Sequence, residues 1–494
     1  MLTPSETTTI FFIILVALAI LAWGYNRAKL YGRLVIFAEL QSVVLMVPWL
    51  VFFGLFATGV HINLVAILLL LVTSLSVYIY LGKKLKAEGQ DVIIQKKTAK
   101  HLQEQSRLEK SKTYQSPNFS LNSDLKITTD TLPIPKEELK LVQSIFSIDT
   151  FFVTETISYQ EGIIFKGNLR GEADKVYTSL SEKLKDIFSD KYRLFLVEGT
   201  EEKPVVIVLP SIVDPQKTTL VQKNIALILF IGTILTSLEA SGILLGFDLF
   251  SDWSRYKEII PLSLGFWTIL ITHEIVHRLL AKRHNVYLSV PFFLPTWQIG
   301  SFGAITRFES LLSNRNALFD VAFAGPAAGW SLSLVLLIVG LVFSSPESLF
   351  QVPTQFLQGS ILVNSLAQVI LGEELQKTLI NVHPLMIIGW LGLVINALNL
   401  LPAGQLDGGR IVQSIYGRKI AKQTTIISLV VLGIVTLINP ENSLALYWII
   451  IIIFLQRDLE RPSLNELTEP DDMRAILGLL ILFLMLATLI PWLF

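Results

Sequence analysis

The sequence predicts an α-helical polytopic membrane protein with about ten transmembrane helices and a small α+β soluble domain inserted between spans three and four. Two observations support this prediction. The 494 residues are 52% hydrophobic and only 16% charged, with a mean hydropathy of +0.58, which is too apolar for a soluble chain of this length. The apolar residues also gather into runs long enough to cross about 30 Å of hydrocarbon.

The apolar runs define the expected spans and domains. Spans are expected at 8–24, 35–57, 61–82, 224–246, 259–281, 318–343, 385–400, 424–438, 444–456 and 476–493. The expected domains are N-terminal transmembrane helices (1–82), a polar linker (83–132), the soluble domain (133–222), a membrane core (223–461) and a C-terminal transmembrane helix (462–494). Span one lacks the basic n-region of a signal peptide, so we expect it to be a retained anchor.

The soluble segment becomes periodic after Pro133 and Pro135. Apolar residues at helical spacing and short alternating runs predict two helices and four strands. The helices are expected over 136–146 and 173–188, and the strands over 150–158, 162–168, 192–198 and 204–209. No pattern typical of catalysis or ligand binding is evident in this segment.

Basic residues mark one side of the expected membrane protein. Lys and Arg clusters follow spans one, three, five, seven and nine, whereas the opposite loops are acidic. The positive-inside rule therefore predicts a cytosolic soluble domain and both termini outside. Lys plus Arg and Asp plus Glu are equal at 40 each, and the Lys-rich segment 83–111 is typical of a solvated, membrane-proximal face. We therefore expect no nucleic-acid partner.

The most informative motif is His273-Glu274-Ile275-Val276-His277, inside the apolar run 259–281. Histidines four residues apart lie on one helix face, so both rings can bind one zinc ion while Glu274 acts as a base beside it. The alternative is an amphipathic helix with two surface histidines. Ionisable residues in transmembrane helices, however, usually face a bundle interior, a cavity or a functional site. The motif therefore indicates a metal-dependent peptidase placed in a membrane.

The third zinc ligand is expected to be Asp407. The chain has no cysteine, which leaves imidazole and carboxylate groups as ligands. Pro402 and Gly404 must interrupt the preceding helix, so the chain can turn and direct Asp407 towards the metal. Two alternatives stay open, because Asp407 beside Gly408 could be a turn residue and His284 lies on the same predicted side. The residues expected to line the site are Asn399, Pro402, Gly408, Gly300 and Gly303.

The loop 284–317 is apolar but broken by prolines and glycines, so it cannot be a spanning helix. Irregular backbone at membrane depth is tolerated where protein or a water-filled cavity satisfies it, which predicts a re-entrant loop lining the site. An interfacial loop on the bilayer surface is the alternative. Gly300 and Gly303 are expected to leave backbone free to pair with an unwound substrate strand.

These motifs make the chain resemble the site-2 proteases, a family of zinc intramembrane metalloproteases. The resemblance rests on His273-Glu274-xx-His277 and on Asn399-xx-Pro402 followed by Leu406-Asp407-Gly408-Gly409, and it covers roughly 224–461, including the glycine-rich run 325–329. Gly167-Asn168-Leu169-Arg170 and the Asn-to-Asp spacing suggest the EGY-like branch of chloroplasts and cyanobacteria. No PDZ module, common in bacterial members, is recognisable.

The resemblance implies one zinc ion per chain, held by two histidines and the aspartate. It also implies membrane-anchored protein substrates cut in or near their transmembrane segments, in a bacterial plasma or thylakoid membrane. The basic clusters predict that the active site lies towards the cytosolic side. Two other classes remain open. An ion-binding transporter could also place buried charges in a bundle, although no internal repeat is visible in the sequence. An inactive membrane scaffold would not need both the ligands and the base.

Overall fold

The computed structural model describes residues 134–492, except 160–161, 200–202, 250, 297–298, 440–442 and 457, together with isolated helical positions between Leu40 and Lys84. The chain divides into two compact units, Met1–Thr128 and Thr129–Phe494. The second unit contains the α+β domain and the membrane core. Apart from the isolated positions, the spans expected at 8–24, 35–57 and 61–82 and the linker 83–132 lie outside the described residues.

The α+β domain contains the two helices and four strands expected from its periodicity. They are α1 (Lys136–Ser144), β1 (Phe151–Tyr159), β2 (Gly162–Leu169), α2 (Ala173–Phe188), β3 (Tyr192–Glu198) and β4 (Pro204–Pro210). The strands form one antiparallel sheet in the order β1-β2-β4-β3. Its apolar face packs on the two helices, because alternate residues of each strand point to the same face of a sheet.

The edge strand β3 joins this domain to the membrane core. The segment 464–466 pairs with Leu196 and, on its other side, with the segment 312–314. The Asn465 amide also donates to Asp174 at the start of α2, 2.6 Å from its Oδ1. The segment 464–466 therefore connects β3 to the segment 312–314, which leads into the helix that begins at Arg315. The three paired segments are far apart in sequence.

Five helices of the described chain are long and apolar enough to cross a membrane. The long apolar helices are α3 (Leu220–Leu244), α4 (Tyr256–Arg283), α5 (Arg315–Val342), α8 (Asp407–Ile438) and α10 (Asp472–Leu489). They correspond to the spans expected at 224–246, 259–281, 318–343, 424–438 and 476–493. The eighth helix begins well before its expected span because it includes Asp407, and Gly417 breaks its helical backbone with φ 80° and ψ 175°.

Two expected spans are shorter helices. The segment expected at 385–400 is α7 (Pro384–Asn399), and the one expected at 444–456 is α9 (Ser443–Ile451), extended by a π-helical turn to Gln456. At 1.5 Å per residue, the 16 residues of α7 extend about 24 Å, less than a typical hydrocarbon core. The count of about ten spans therefore stays a prediction.

The connection between α5 and α7 contains structure that the hydropathy pattern did not predict. It comprises β7 (Phe350–Pro353), a helical turn at Thr354–Leu357, α6 (Ile361–Leu371) and β8 (Leu379–Val382). The two strands form an antiparallel pair. A helix of eleven residues is too short to span a bilayer, so α6 could not be recognised by length alone.

The proline-broken loop between α4 and α5 forms a β-hairpin. Strand β5 (Phe292–Thr296) pairs with β6 (Gly300–Ile305), and bridging bonds continue the pairing to Leu288 and Phe308. The hairpin lies against α3, where Thr236 Oγ1 donates to the Gly300 carbonyl at 2.6 Å. The expectation of a partly extended loop is confirmed in its local structure.

Candidate metal centre

Three potential metal ligands converge where α4 meets α8. His273 and His277 project from one face of α4, and Asp407 is the first residue of α8. The two Nε2 atoms are 3.0 Å apart, and Asp407 Oδ2 lies 3.4 Å from His273 Nε2 and 3.3 Å from His277 Nε2. Within the described residues, this is the group of histidine and carboxylate side chains whose donor atoms could hold one metal ion.

The triangle of donor atoms fits a tetrahedral zinc ion. With bonds of about 2.0 Å, ligand atoms in a tetrahedral zinc site lie about 3.3 Å from one another. The three observed separations, 3.0, 3.3 and 3.4 Å, are close to that value. All three side chains are buried, and a site with three protein ligands leaves one position for water or substrate.

Each histidine is oriented by a hydrogen bond from its other ring nitrogen. His277 Nδ1 lies 2.6 Å from the Val321 carbonyl oxygen, which can only accept, so this nitrogen carries the proton. His273 Nδ1 lies 2.9 Å from Asn396 Oδ1, and the Asn396 amide donates to the Gly392 carbonyl at 2.8 Å. Both Nε2 lone pairs therefore face the metal position, as metal-binding histidines require.

Asn396 was missed by the sequence analysis, which selected Asn399 one helical turn later. A signal was present, because two amides lie at i and i+3 in the apolar helix α7. The sequence alone could not show which amide reaches His273. Asn399 instead donates to the Ile395 carbonyl at 3.1 Å and lines two cavities, one with His277 and Asp407 and the other with His273.

A glycine-rich turn of α5 lets that helix approach the site. A Cβ atom on Gly325 would collide with the His277 ring, and one on Gly329 would collide with Asn396 Oδ1. Both glycines belong to the run 325–329 on which the family resemblance partly rests. Close approach explains them, because α5 supplies the Val321 carbonyl that holds His277 only when its backbone lies next to α4.

Glu274 faces the same cavity as the metal ligands. Its Oε2 accepts a hydrogen bond from Thr306 Oγ1 at 3.0 Å. The Thr306 carbonyl in turn accepts from Arg410 at 2.9 Å, and Arg410 pairs with Glu460 at 2.9 Å. Glu274, His277, Asp407, Thr306 and Arg410 line one cavity. The arrangement places a carboxylate beside the donor triangle and anchors it through the strand that continues β6.

The remaining candidates have other surroundings. His284 Nε2 lies 2.9 Å from Asp320 Oδ2, which Arg474 also binds, so His284 is not part of the triangle. Gly303 lines the cavity beside His273, whereas Gly300, Pro402 and Gly408 are packing or turn residues. Asp407 begins a helix after the break at 400–406, so it is not the terminal turn residue of α7.

Comparison with known proteins agrees with this geometry. The family model described as Peptidase family M50 matches residues 261–439, which include the three ligands and Glu274. A second model, described as EGY3 middle domain, matches residues 140–216 in the α+β domain. No solved structure is significantly similar to the chain.

Curated relatives extend the match beyond the membrane core. The chain is 38% identical over 374 residues to probable zinc metalloprotease EGY2, chloroplastic, of Arabidopsis thaliana, covering 74% of this chain and 66% of that protein. It is 40% identical to the EGY2 protein of Oryza sativa subsp. indica, covering 74% and 68%, and 36% identical to the Arabidopsis thaliana EGY1 protein, covering 72% and 71%. The chain thus spans about two thirds of their length. The family match and these identities show that the chain belongs to the M50 peptidases, within the branch that contains the EGY proteins, and the donor triangle agrees with that assignment.

Proposed function

We propose that this protein is an integral-membrane zinc endopeptidase that hydrolyses peptide bonds in or near the transmembrane segments of membrane-anchored proteins. The observation that carries the proposal is the buried triangle of His273, His277 and Asp407, with Glu274 in the same cavity. The relatives' names specify zinc, and the donor set of two imidazoles and one carboxylate suits that ion. One zinc per chain follows from the single triangle in the described residues.

A small set of residues around the donor triangle accounts for the proposed peptide hydrolysis. A bound zinc ion would supply a Lewis acid that polarises the scissile carbonyl and lowers the pKa of a water molecule. Glu274 takes the proton of the attacking water and delivers it to the leaving amine. Thr306 occupies Oε2 of this carboxylate, which leaves Oε1 available for the proton transfer. Asn396 and the Val321 carbonyl keep both imidazoles in the tautomer that exposes Nε2.

The substrate must be unwound before it can react, because a helix hides its carbonyls in hydrogen bonds between residues four apart. Strand β6 pairs with β5 along one edge, and no other described strand pairs with its second edge. Ala304, Ile305 and Thr306, at its end, line the cavity of the donor triangle. An unwound substrate segment adds to that second edge as an extra strand. Substrates with Gly, Pro or polar residues near the cut are therefore preferred.

The membrane and the orientation belong to the proposal as well. The EGY relatives carry the word chloroplastic in their names, and the helices of this chain suit a bilayer, so a bacterial plasma membrane or a thylakoid membrane is proposed. The positive-inside rule, applied to the basic loops, supports a donor triangle on the cytosolic side. The α+β domain, attached to the chain next to α5, then faces the same compartment.

The substitution Glu274→Gln tests the function directly. The variant should keep its zinc and its fold but lose cleavage of a single-span test protein by at least about 10²-fold, because the amide preserves shape without supplying a base. The measurements are zinc content by elemental analysis and product formation in proteoliposomes. Glu258→Gln, an exposed change at the other end of α4, is the matched control. Normal turnover by Glu274→Gln would remove this residue from the mechanism, whereas absence of cleavage by the wild type would favour a transporter or a scaffold.

A further inference from the structure

A cleft lies outside the metal cavity, where the α+β domain meets the core. Its volume is about 510 Å³, within the roughly 300–1,000 Å³ of ligand pockets. Its walls are the exit segment of the α+β domain (212–222), the strand that continues β6 (307–312) and the segment 460–462. None of its lining residues is a ligand of the donor triangle or the carboxylate Glu274.

The cleft continues the path of the metal cavity. Ile305 and Thr306 line the cavity, and the next residues on the same strand, Arg307 to Glu309, line the cleft. Gln405 lines both spaces. The Arg410–Glu460 pair links them, because Arg410 faces the cavity and Glu460 the cleft. A chain lying along this strand passes from the donor triangle into the cleft within about 10 Å, at 3.3 Å per residue.

The charges available in the cleft are mainly positive. Two of its carboxylates have cationic partners, since Asp214 pairs with Arg193 at 3.0 Å and Glu460 pairs with Arg410. Lys217, Arg307 and Arg461 line the same cleft and are exposed, and no carboxylate of the described residues forms an ion pair with them. Glu309 is the remaining acid, and it accepts hydrogen bonds from Thr218. The cleft lining therefore carries three cations and one carboxylate without a cationic partner among the described residues, Glu309.

We propose that this cleft binds an acidic segment of the substrate that flanks its transmembrane helix, with Lys217, Arg307 and Arg461 as specificity-determining residues. The inference rests on the proposed peptidase function and adds to it a substrate class. The strand spacing places the preferred Asp or Glu roughly three to five residues from the scissile bond. The α+β domain contributes through its exit segment, which supplies Lys217 and one wall of the cleft.

The test uses three single-span proteins with the same Gly-Pro cleavage site. They differ only in a four-residue flanking segment, placed four residues from that site, which consists of Glu, Ala or Lys residues. The full-length wild type should cleave the Glu-flanked protein with a kcat/KM at least about fivefold above the Ala-flanked one, since each exposed ion pair contributes up to about 1 kcal/mol. The double variant Lys217→Glu, Arg307→Glu should invert this order and favour the Lys flank. Lys183→Glu, an exposed change on α2 away from the cleft, should leave the order unchanged.

A binding measurement separates this inference from the peptidase function. A fluorescent peptide carrying the Glu flank should bind the Glu274→Gln protein several-fold more tightly than its Lys counterpart. Adding Arg307→Gln, which removes the charge but keeps the first three side-chain carbons, should weaken binding of the Glu-flanked peptide. Cleavage that ignores the flank overturns the cleft proposal but leaves the peptidase function intact. Equal binding of both peptides, or competition by vesicles of anionic lipid without any flank preference, overturns it too. Failure to cleave any of the three proteins contradicts the peptidase function itself.

Discussion

Single side chains decide whether the metal site forms. The donor triangle uses one atom from each of three buried residues, so losing any one leaves two protein ligands. Asp407→Ala should therefore abolish most zinc binding at zinc concentrations that saturate the wild type. Elemental analysis of purified protein measures this loss. Asp472→Ala, an exposed change at the equivalent first position of α10, is the control. Full zinc content in Asp407→Ala would mean that another group is the third ligand.

Substitutions of two neighbouring amides, Asn396 and Asn399, distinguish a residue that orients a zinc ligand from one that only lines the site. Asn396→Ala removes the acceptor that holds His273 Nδ1, so zinc affinity should fall about 10- to 100-fold. Asn399→Ala removes an amide that lines the cavity but makes no hydrogen bond to either histidine, so zinc affinity should be nearly retained. Competition with a zinc-binding dye gives both values. Equal losses in the two variants would contradict the orienting role of Asn396.

At the scale of elements, close helix packing positions the ligands. Gly325 lies where α5 meets the His277 ring, and a methyl group there would displace either the ring or the helix. Gly325→Ala should therefore lower zinc affinity strongly, although Ala is normally the better helix former. Gly433→Ala is the matched control, because no atom lies within 4 Å of its added Cβ and the change should stabilise α8 by about 1 kcal/mol. Zinc titration and thermal unfolding check both. A Gly325→Ala protein with normal zinc affinity would show that α5 is not tightly held there.

The hairpin shows why its glycines cannot test substrate pairing. Gly300 and Gly303 have φ values of +87° and +96°, and added Cβ atoms would lie 2.9 Å from Ser237 Cα and 2.7 Å from Asn399 Nδ2. Any side chain there would strain the hairpin against its own helices. We therefore expect Gly303→Val to reduce stability and zinc binding together. Strand addition has to be tested through the substrate, by comparing helix-destabilised and regular transmembrane segments.

The orientation of the whole molecule can be measured because the chain contains no cysteine. Ser313 is exposed just before α5, and Glu347 is exposed just after it. Single cysteines at these positions should label from opposite sides, Ser313→Cys from the cytosol and Glu347→Cys from outside. Membrane-impermeant maleimide applied to sealed right-side-out and inverted vesicles makes the measurement. Labelling of both positions from one side would contradict a spanning α5, and the reverse pattern would overturn the orientation.

The local pattern of residue types along the sequence was sufficient to predict many helices and strands of this protein. The four-residue spacing of His273 and His277 determines their common helix face, since helix geometry is a property of consecutive residues. Helix breakers at 402 and 404 indicated that the chain turns before Asp407, and the alternation in the α+β domain predicted all four strands. Long apolar runs predicted the five long helices, whereas the length criterion could not recognise α6 or decide whether the short helices α7 and α9 cross the bilayer.

Tertiary structure alone decided which distant residues meet. Asn396, Val321 and Gly325 act on the two histidines from other helices, and side-chain packing among three helices selects them rather than any local period. The cleft beside the metal cavity arises from segments near residues 215, 309 and 461, so its three cations form no cluster in the sequence. Periodicity encodes the direction of a side chain on its own element, but contact between elements depends on the volumes and hydrogen bonds of many residues at once.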